Sequence, residues 1–382
     1  MGKAAGGARP PPAGRPDSAA RSTRRHRRAV PEARGDSPGG PGRSRLGLSA
    51  SAERAAPMPR RRHLLAAGLA GLAAAPARRA RAAAAWRIAS EYPATAMPGE
   101  GIAHFAEAAT RLADGALMVT AAPDAPDGLR SAAMLRAVAE GKLAAADAFT
   151  GAMAKDAPIF QLSALPFLTG SAADAARLLD LARPAYARAL AAQGATLLYA
   201  TPWPPSGIWS RRPLTEAGAL QGLRIRTYDA AGTAVLQAAS AAPQQISFAD
   251  ALPRLKAGEM DAVLSSGDGG AGARLWEILP NFTRIDYAWP LSLAFCASAA
   301  LEALPEPARR AVLQAGRETE ARQFRAIATR LEENGARLRA NGVALAEVPA
   351  LRAALTLAAQ PVVEAWSDRA GEEGRAILAA YR

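Results

Sequence analysis

Apolar positions along residues 86–382 alternate between two periods, and that alternation predicts the layers of the fold. Trp86–Tyr92 reads as a strand, followed by a turn at Met97-Pro98-Gly99. From Gly101 to Ala113, Ile102, Phe105, Ala106 and Ala109 recur at spacings of three and four, which line up on one helical face. Ala116–Ala121 is a second strand and Ala144–Thr150 a third. Between them Ser131 is placed to cap a helix carrying Met134, Leu135 and Val138. The order β-α-β-α-β predicts an α/β lobe built on a largely parallel sheet.

The pattern then returns with different residues. Ala195–Ala200, Leu223–Thr227, Gln245–Ser247 and Met260–Ser265 read as strands. Ala230–Ala239 and Phe248–Ala257 read as helices, the second ended by Gly258. Asp268 and its flanking glycines are expected to cap a helix running through Trp276 to Leu279. Leu291–Ser298 reads as a buried strand, and the last third as mainly helical. There, Pro307 to about Ala340 puts Val312, Ala315, Phe324, Ile327, Leu331 and Leu338 on one side and many charges on the other, the pattern of a solvated amphipathic helix. The fold class expected is α/β, the pattern occurring twice.

Charge changes this picture only at the N-terminus. The formal net charge is +13, but residues 1–85 hold 18 of the 47 basic and 4 of the 34 acidic side chains, so the remainder is near neutral at −1. A nucleic-acid partner, which needs a basic face on the fold, is therefore not expected. Residues 1–57 lack large apolar side chains and cannot bury enough surface to offset ordering entropy. They read as a disordered tail or as a stretch upstream of a true start at Met58. Residues 58–85 have the three parts of a signal peptide: Arg60-Arg61-Arg62, the apolar run Leu64–Ala75, and an Ala-rich end suited to cleavage near Ala82–Ala85. Arg61-Arg62 followed by His63-Leu64-Leu65 resembles a twin-arginine signal. Residues 86–382 would then be the mature part, exported to the periplasm. No later run reaches 18 apolar residues, so that part is expected to be soluble.

Candidate chemistry is sparse. The single cysteine, Cys296, lies in an apparent core strand, and of three histidines only His104 lies outside the leader. Neither a metal site nor His-dependent catalysis is expected, and no G-x-S-x-G, H-E-x-x-H or Walker loop occurs. Ser266-Gly-Asp-Gly-Gly-Ala-Gly lacks the Lys-Ser/Thr of a phosphate loop and reads better as a turn with a helix cap. The strongest local feature is Leu220-Gln-Gly-Leu-Arg-Ile-Arg-Thr-Tyr. As a strand it sends Leu223 and Ile225 one way and Arg224 and Arg226 the other. An Arg at the C-terminal end of such a strand faces the crevice where α/β lobes bind ligands, and its planar guanidinium can grip a carboxylate with two parallel hydrogen bonds. The alternative, two surface charges, stays open on pattern alone.

Leu220–Tyr228, followed by Gln245-Ile-Ser-Phe-Ala-Asp-Ala-Leu-Pro-Arg-Leu-Lys-Ala-Gly-Glu-Met-Asp-Ala, resembles the signature of the solute receptors of tripartite ATP-independent periplasmic (TRAP) transporters. Ser90-Glu-Tyr-Pro, Leu165-Pro-Phe and Pro202-Trp-Pro-Pro-Ser fit the same family, so the resemblance runs from about Trp86 to the C-terminus. It implies two α/β lobes of the periplasmic-binding-protein kind, a hinge and long C-terminal helices bracing both. It also implies a receptor that closes on a small organic acid, performs no chemistry, needs no cofactor and hands its ligand to the membrane subunits of a TRAP permease, as a monomer or homodimer. By resemblance Arg226 clamps the ligand carboxylate. Phe248 is the aromatic opening the next helix, and Ser266 stands where relatives often place Asn. Ser206 stands where the sialic-acid receptors carry a second Arg. That departure points to a smaller or more apolar carboxylate packed against Trp203. Glu91, Phe149 and Tyr228 complete the expected ligand-binding set. The competing readings are a receptor for an ATP-driven importer and a secreted α/β enzyme.

Overall fold

The structure, a computed structural model, describes residues 83–382. The expectations for the leader up to residue 82 lie outside the described residues. The chain begins with β1 (Ala84–Ser90), α1 (Met97–Leu112), β2 (Leu117–Ala122), α2 (Ser131–Ala139), β3 (Ala145–Phe149), α3 (Ala172–Ala191) and β4 (Ala195–Pro202). It then crosses into a second lobe: β5 (Ser206–Ser210), β6 (Arg224–Thr227), α4 (Ala230–Ala238), β7 (Ala242–Gln245), α5 (Phe248–Lys256), β8 (Ala262–Ser266), α6 (Gly267–Gly272) and β9 (Asn281–Arg284). It returns through β10 (Leu291–Ala297) and α7 (Ser298–Glu302). The long α8 (Glu306–Ala340), β11 (Ala344–Glu347) and α9 (Pro349–Tyr381) finish the chain.

Lobe 1 is a five-stranded sheet in the order β2-β1-β3-β10-β4, and lobe 2 a six-stranded sheet in the order β11-β9-β5-β8-β6-β7. Each sheet is parallel except for one strand. In lobe 1 the exception is β10, antiparallel to both β3 and β4. In lobe 2 it is β5, antiparallel to β8 and β9. These are the two strands at which the chain enters or re-enters a lobe. Two packed clusters cover the two faces of the lobe 1 sheet, which is why β3, Ala-Ala-Asp-Ala-Phe, is buried at every position. A third cluster, around Trp209, Val263 and Leu264, is the core of lobe 2.

The C-terminal helices brace both lobes. α8 lies so close to β4 that a Cβ at Gly316 would sit 2.5 Å from the Leu198 carbonyl oxygen. Toward its other end Asn334 donates to Asp268 of lobe 2 at 3.2 Å. Its inner face is less apolar than the pattern implies. Val312, Ala315, Ile327 and Leu338 are buried, but so are Thr319, Gln323 and Asn334, while Leu331 is exposed. α9 breaks at Gly371, whose φ of 68° is open to glycine at little cost.

Several local expectations need correction. Met97-Pro98-Gly99 is not a turn but the first turn of α1, where proline's missing N–H has no intrahelical role to lose. The cap position of α2 is Arg130, not Ser131; the Ser131 hydroxyl instead accepts the Phe149 N–H at 3.3 Å. The strand expected at Gln245–Ser247 is β7, displaced to Ala242–Gln245 because the edge pairing with β6 sets its bounds. The helix expected to reach Leu279 ends at Gly272, with Arg274 in a left-handed conformation (φ 53°) just beyond. Its cap is Ser266, whose hydroxyl accepts the Gly269 N–H at 3.0 Å. The pattern sets no bounds for α3, β5, β9 or α9.

Candidate functional site

The parallel strands of both lobes aim their C-terminal ends at one crevice, where an open α/β sheet collects ligand-binding groups. Arg226 sits near the end of β6, 3% exposed. Its Nε donates to the Ile246 carbonyl at 2.8 Å and its Nη1 to the Leu264 carbonyl at 3.3 Å. It makes no ion pair among the described residues. Guanidinium remains a cation in proteins even though burial pulls the Arg226 pKa down from its usual value. The Phe248 and Tyr228 rings lie 5.6 Å and 5.9 Å from it, close enough for their π faces to offset part of its lost hydration. Arg224, two residues earlier, is exposed and forms a bidentate pair with Asp261 at 2.7 and 2.8 Å.

Arg226 borders a small cavity walled mainly by aromatics. Tyr92 meets Trp203 edge-on at 4.6 Å, and Phe149 meets Tyr228 edge-on at 5.0 Å. Trp203 is held by its Nε1, which donates to the Ser292 hydroxyl at 3.0 Å. Tyr228 donates to the Ser206 hydroxyl at 3.2 Å, which leaves Ser206 its own proton to give. Ser265 and Ser266 come from the end of β8. The cavity is small, with room for about two to three water molecules.

Seven of the eight residues expected at the site, Arg226, Trp203, Ser206, Phe248, Ser266, Phe149 and Tyr228, line this one cavity. Glu91 does not. It is buried, and its carboxylate is taken up by backbone: Oε2 accepts the Ser131 N–H at 2.8 Å, and Oε1 accepts those of Phe248 and Ala249 at 3.0 and 3.4 Å. Its neighbour Tyr92 lines the cavity instead, together with Ser265, Gly269 and Pro290. An aromatic side chain just past the end of the first parallel strand is the signal that points to Tyr92.

Three further titratable groups are buried or half-buried outside the cavity lining. Asp229 caps α4 through the Gly232 N–H at 2.7 Å and accepts from Gln161 Nε2 of lobe 1 at 2.6 Å; burial raises its pKa to about 6. Cys296 is buried in β10 and its thiol is pushed up to about 12 by desolvation, which leaves it unreactive. His104 Nδ1 lies 3.0 Å from the Thr319 hydroxyl, and burial lowers its pKa. Among the described residues no three His, Cys, Asp or Glu side chains are grouped to hold a metal ion. No described helix is long and apolar enough to cross a membrane.

Residues 88–369 match the family described as bacterial extracellular solute-binding protein, family 7. No curated protein matches. The solved structure of DctP7, a Bordetella pertussis extracytoplasmic solute receptor binding pyroglutamic acid, is 27% identical, with a TM-score of 0.76 over 78% of this chain and 100% of that one. A TRAP solute-binding protein from an unidentified marine microbe, specific for pyroglutamate, is 26% identical, with a TM-score of 0.75 over 79% and 99%. A Shewanella oneidensis TRAP receptor with bound succinate, 17% identical, shares the fold, with a TM-score of 0.73 over 79% and 100%. The relatives are receptors rather than enzymes, and none is described as serving an ATP-driven importer. The chain belongs to family 7 of the bacterial extracellular solute-binding proteins, the solute receptors of TRAP transporters.

Proposed function

We propose that this receptor captures a compact monocarboxylate whose second polar group is neutral, a lactam or hydroxy acid of the pyroglutamate type, and holds it between the lobes for delivery to a TRAP permease. The observation that carries this reading is Arg226, a buried cation without a protein counter-ion among the described residues. A ligand carboxylate on its guanidinium supplies the missing charge. The wall of this cavity itself carries no second cation for a dicarboxylate and no carboxylate for an ammonium group; Arg130, Lys155 and Glu91 line an adjoining space that shares Arg226 and Phe248 with it. Ser206 and Ser265 can serve a lactam carbonyl or N–H, and the aromatic walls take a small ring. Three solved receptors at 25–27% identity bind pyroglutamate or pyroglutamic acid, which supports the same class.

The test is calorimetric titration of the purified domain with L-pyroglutamate, L-proline, L-glutamate and D-galacturonate. Pyroglutamate should bind. Proline, the same ring with an ammonium in place of the lactam, should bind at least roughly a hundredfold more weakly, because it brings an unpaired charge into a closed site. Equal binding of proline, or preferred binding of the bulkier galacturonate, overturns the reading.

We also infer export to the periplasm with removal of residues 58–85, or most of them. β1 starts at Ala84, so a cut near Ala82–Ala85 places the first strand at or next to the new N-terminus. Mass spectrometry of the exported protein should give an N-terminus in that window. A mature protein still carrying Arg60–Arg62 contradicts it.

A further inference from the structure

The segment Glu91–Met97, six connecting residues and the first residue of α1, belongs to lobe 1 in sequence, yet lobe 2 holds it at both ends. At one end the Glu91 carboxylate takes the first two N–H groups of α5 in lobe 2, while its other oxygen takes the Ser131 N–H of α2 in lobe 1. At the other end the roles reverse. The Met97 N–H, the first of α1, donates to Asp268 Oδ2 of lobe 2 at 2.9 Å. α1 has no cap of its own, since Ala96 occupies the cap position. Asp268 is fixed from α8 by Asn334 and by Arg330, which also pairs with Glu100 of α1 at 2.5 Å. Each lobe thus caps a helix N-terminus of the other with a buried carboxylate, where unsatisfied N–H groups and the helix dipole favour negative charge. Tyr92 lies within the strap so formed, against Trp203 in the ligand cavity.

We propose that Glu91 and Asp268 are positioning residues for ligand retention: by reciprocal capping across the crevice they hold the Glu91–Met97 strap, and with it Tyr92, closed over the bound carboxylate. The retention part rests on the cavity being the ligand site; the capping part does not. Neither carboxylate touches the ligand in this scheme. They act on the rate at which the closed receptor lets go.

Glu91→Gln is nearly isosteric but has one accepting oxygen and an NH₂, so it cannot accept from Ser131 and from Phe248 together. Without ligand, amide hydrogen exchange at Phe248 and Ala249 should accelerate roughly ten- to hundredfold, as should that at Met97 in Asp268→Asn. With L-pyroglutamate, dissociation in stopped-flow should accelerate about tenfold or more in each variant, while association stays within about threefold. Asp250→Asn is the control. It weakens an exposed pair with Arg130 across the same crevice and should change dissociation less than about threefold. Unchanged exchange at all three amides overturns the capping. Faster exchange with unchanged dissociation overturns the retention role. If L-pyroglutamate fails to bind even the unaltered protein, the ligand class falls and the retention role with it, while the exchange data still decide the capping.

Discussion

Replacing Arg226 with alanine should weaken ligand binding roughly thirtyfold to several thousandfold. Removing one partner of a buried, hydrogen-bonded charge pair costs about 2–5 kcal/mol, much of it the penalty on the charge left behind, at about 1.4 kcal/mol per decade of affinity. The Arg226 side is already desolvated in the protein, so the loss falls mainly on the ligand carboxylate, shut in a cavity with no other cation on its wall. Arg226→Lys keeps the charge. It cannot reproduce the fork that spends Nε and Nη1 on the Ile246 and Leu264 carbonyls, so it should recover only part of the loss. Arg224→Ala removes an exposed pair with Asp261 and should change affinity by less than about tenfold. Calorimetry on variants shown to be folded by circular dichroism decides the matter. Binding by Arg226→Ala within about threefold of wild type rules out the clamp.

Asp147→Asn should make the protein more stable at pH 8 while changing its stability little at pH 4. Asp147 lies in β3, beside Ser90 of β1 and Ala294 of β10, with no exposure to solvent. Among the described residues only the Ser90 hydroxyl donates to it, at 3.2 Å, and Oδ2 has no partner. Burial pushes its pKa up to about 8. The unfolded chain releases this proton near pH 4, so between pH 4 and 8 the folded state binds a proton that the unfolded state does not. The contribution to stability is therefore full below about pH 4 and is lost as pH rises through 8, at about 1.4 kcal/mol per pH unit. Asparagine keeps an oxygen for Ser90 and never ionises. Denaturant unfolding of both proteins at pH 5 and pH 8 should show the advantage of Asn growing by roughly 3–4 kcal/mol over that range. An advantage independent of pH would falsify the ionisation argument.

What could be read in the sequence follows from where each structure is determined. Short-range pattern places Arg226 on a strand with apolar alternate positions and Phe248 at a helix start behind Ser247, which does cap α5 by accepting the Asp250 N–H, while the family resemblance is what gives the two their roles. Trp203 and Ser206 lie in a Pro-rich crossing that the family resemblance singled out. Glu91 and Tyr92 are different. Both follow the end of β1, and which of the two meets the cavity is decided by partners 40 to 158 residues away: Ser131, Phe248 and Ala249 draw Glu91 aside. Asp268 shows the same limit. Its place in a Gly-rich run imitates a local cap, but its carboxylate answers to Met97, Arg330 and Asn334. Local periodicity has no access to contacts of that range, and tertiary demand overrides local capping preference there.

The sheet orders carry a consequence for how the chain is made. Among the described residues β4 pairs with β10 alone, and β10 separates it from β3. During synthesis residues 195–202 therefore emerge without a sheet neighbour and wait for residues 291–297, while the whole of β5–β9 is made in between. Such long-range pairing closes slowly and leaves edges exposed meanwhile. A nascent chain halted before Leu291 carries most of the residues of lobe 1 but not the strand that joins β3 to β4. An interior strand of the first lobe's sheet is thus supplied after nearly all of the second lobe, which ties the two lobes into one cooperative unit even though each has its own core.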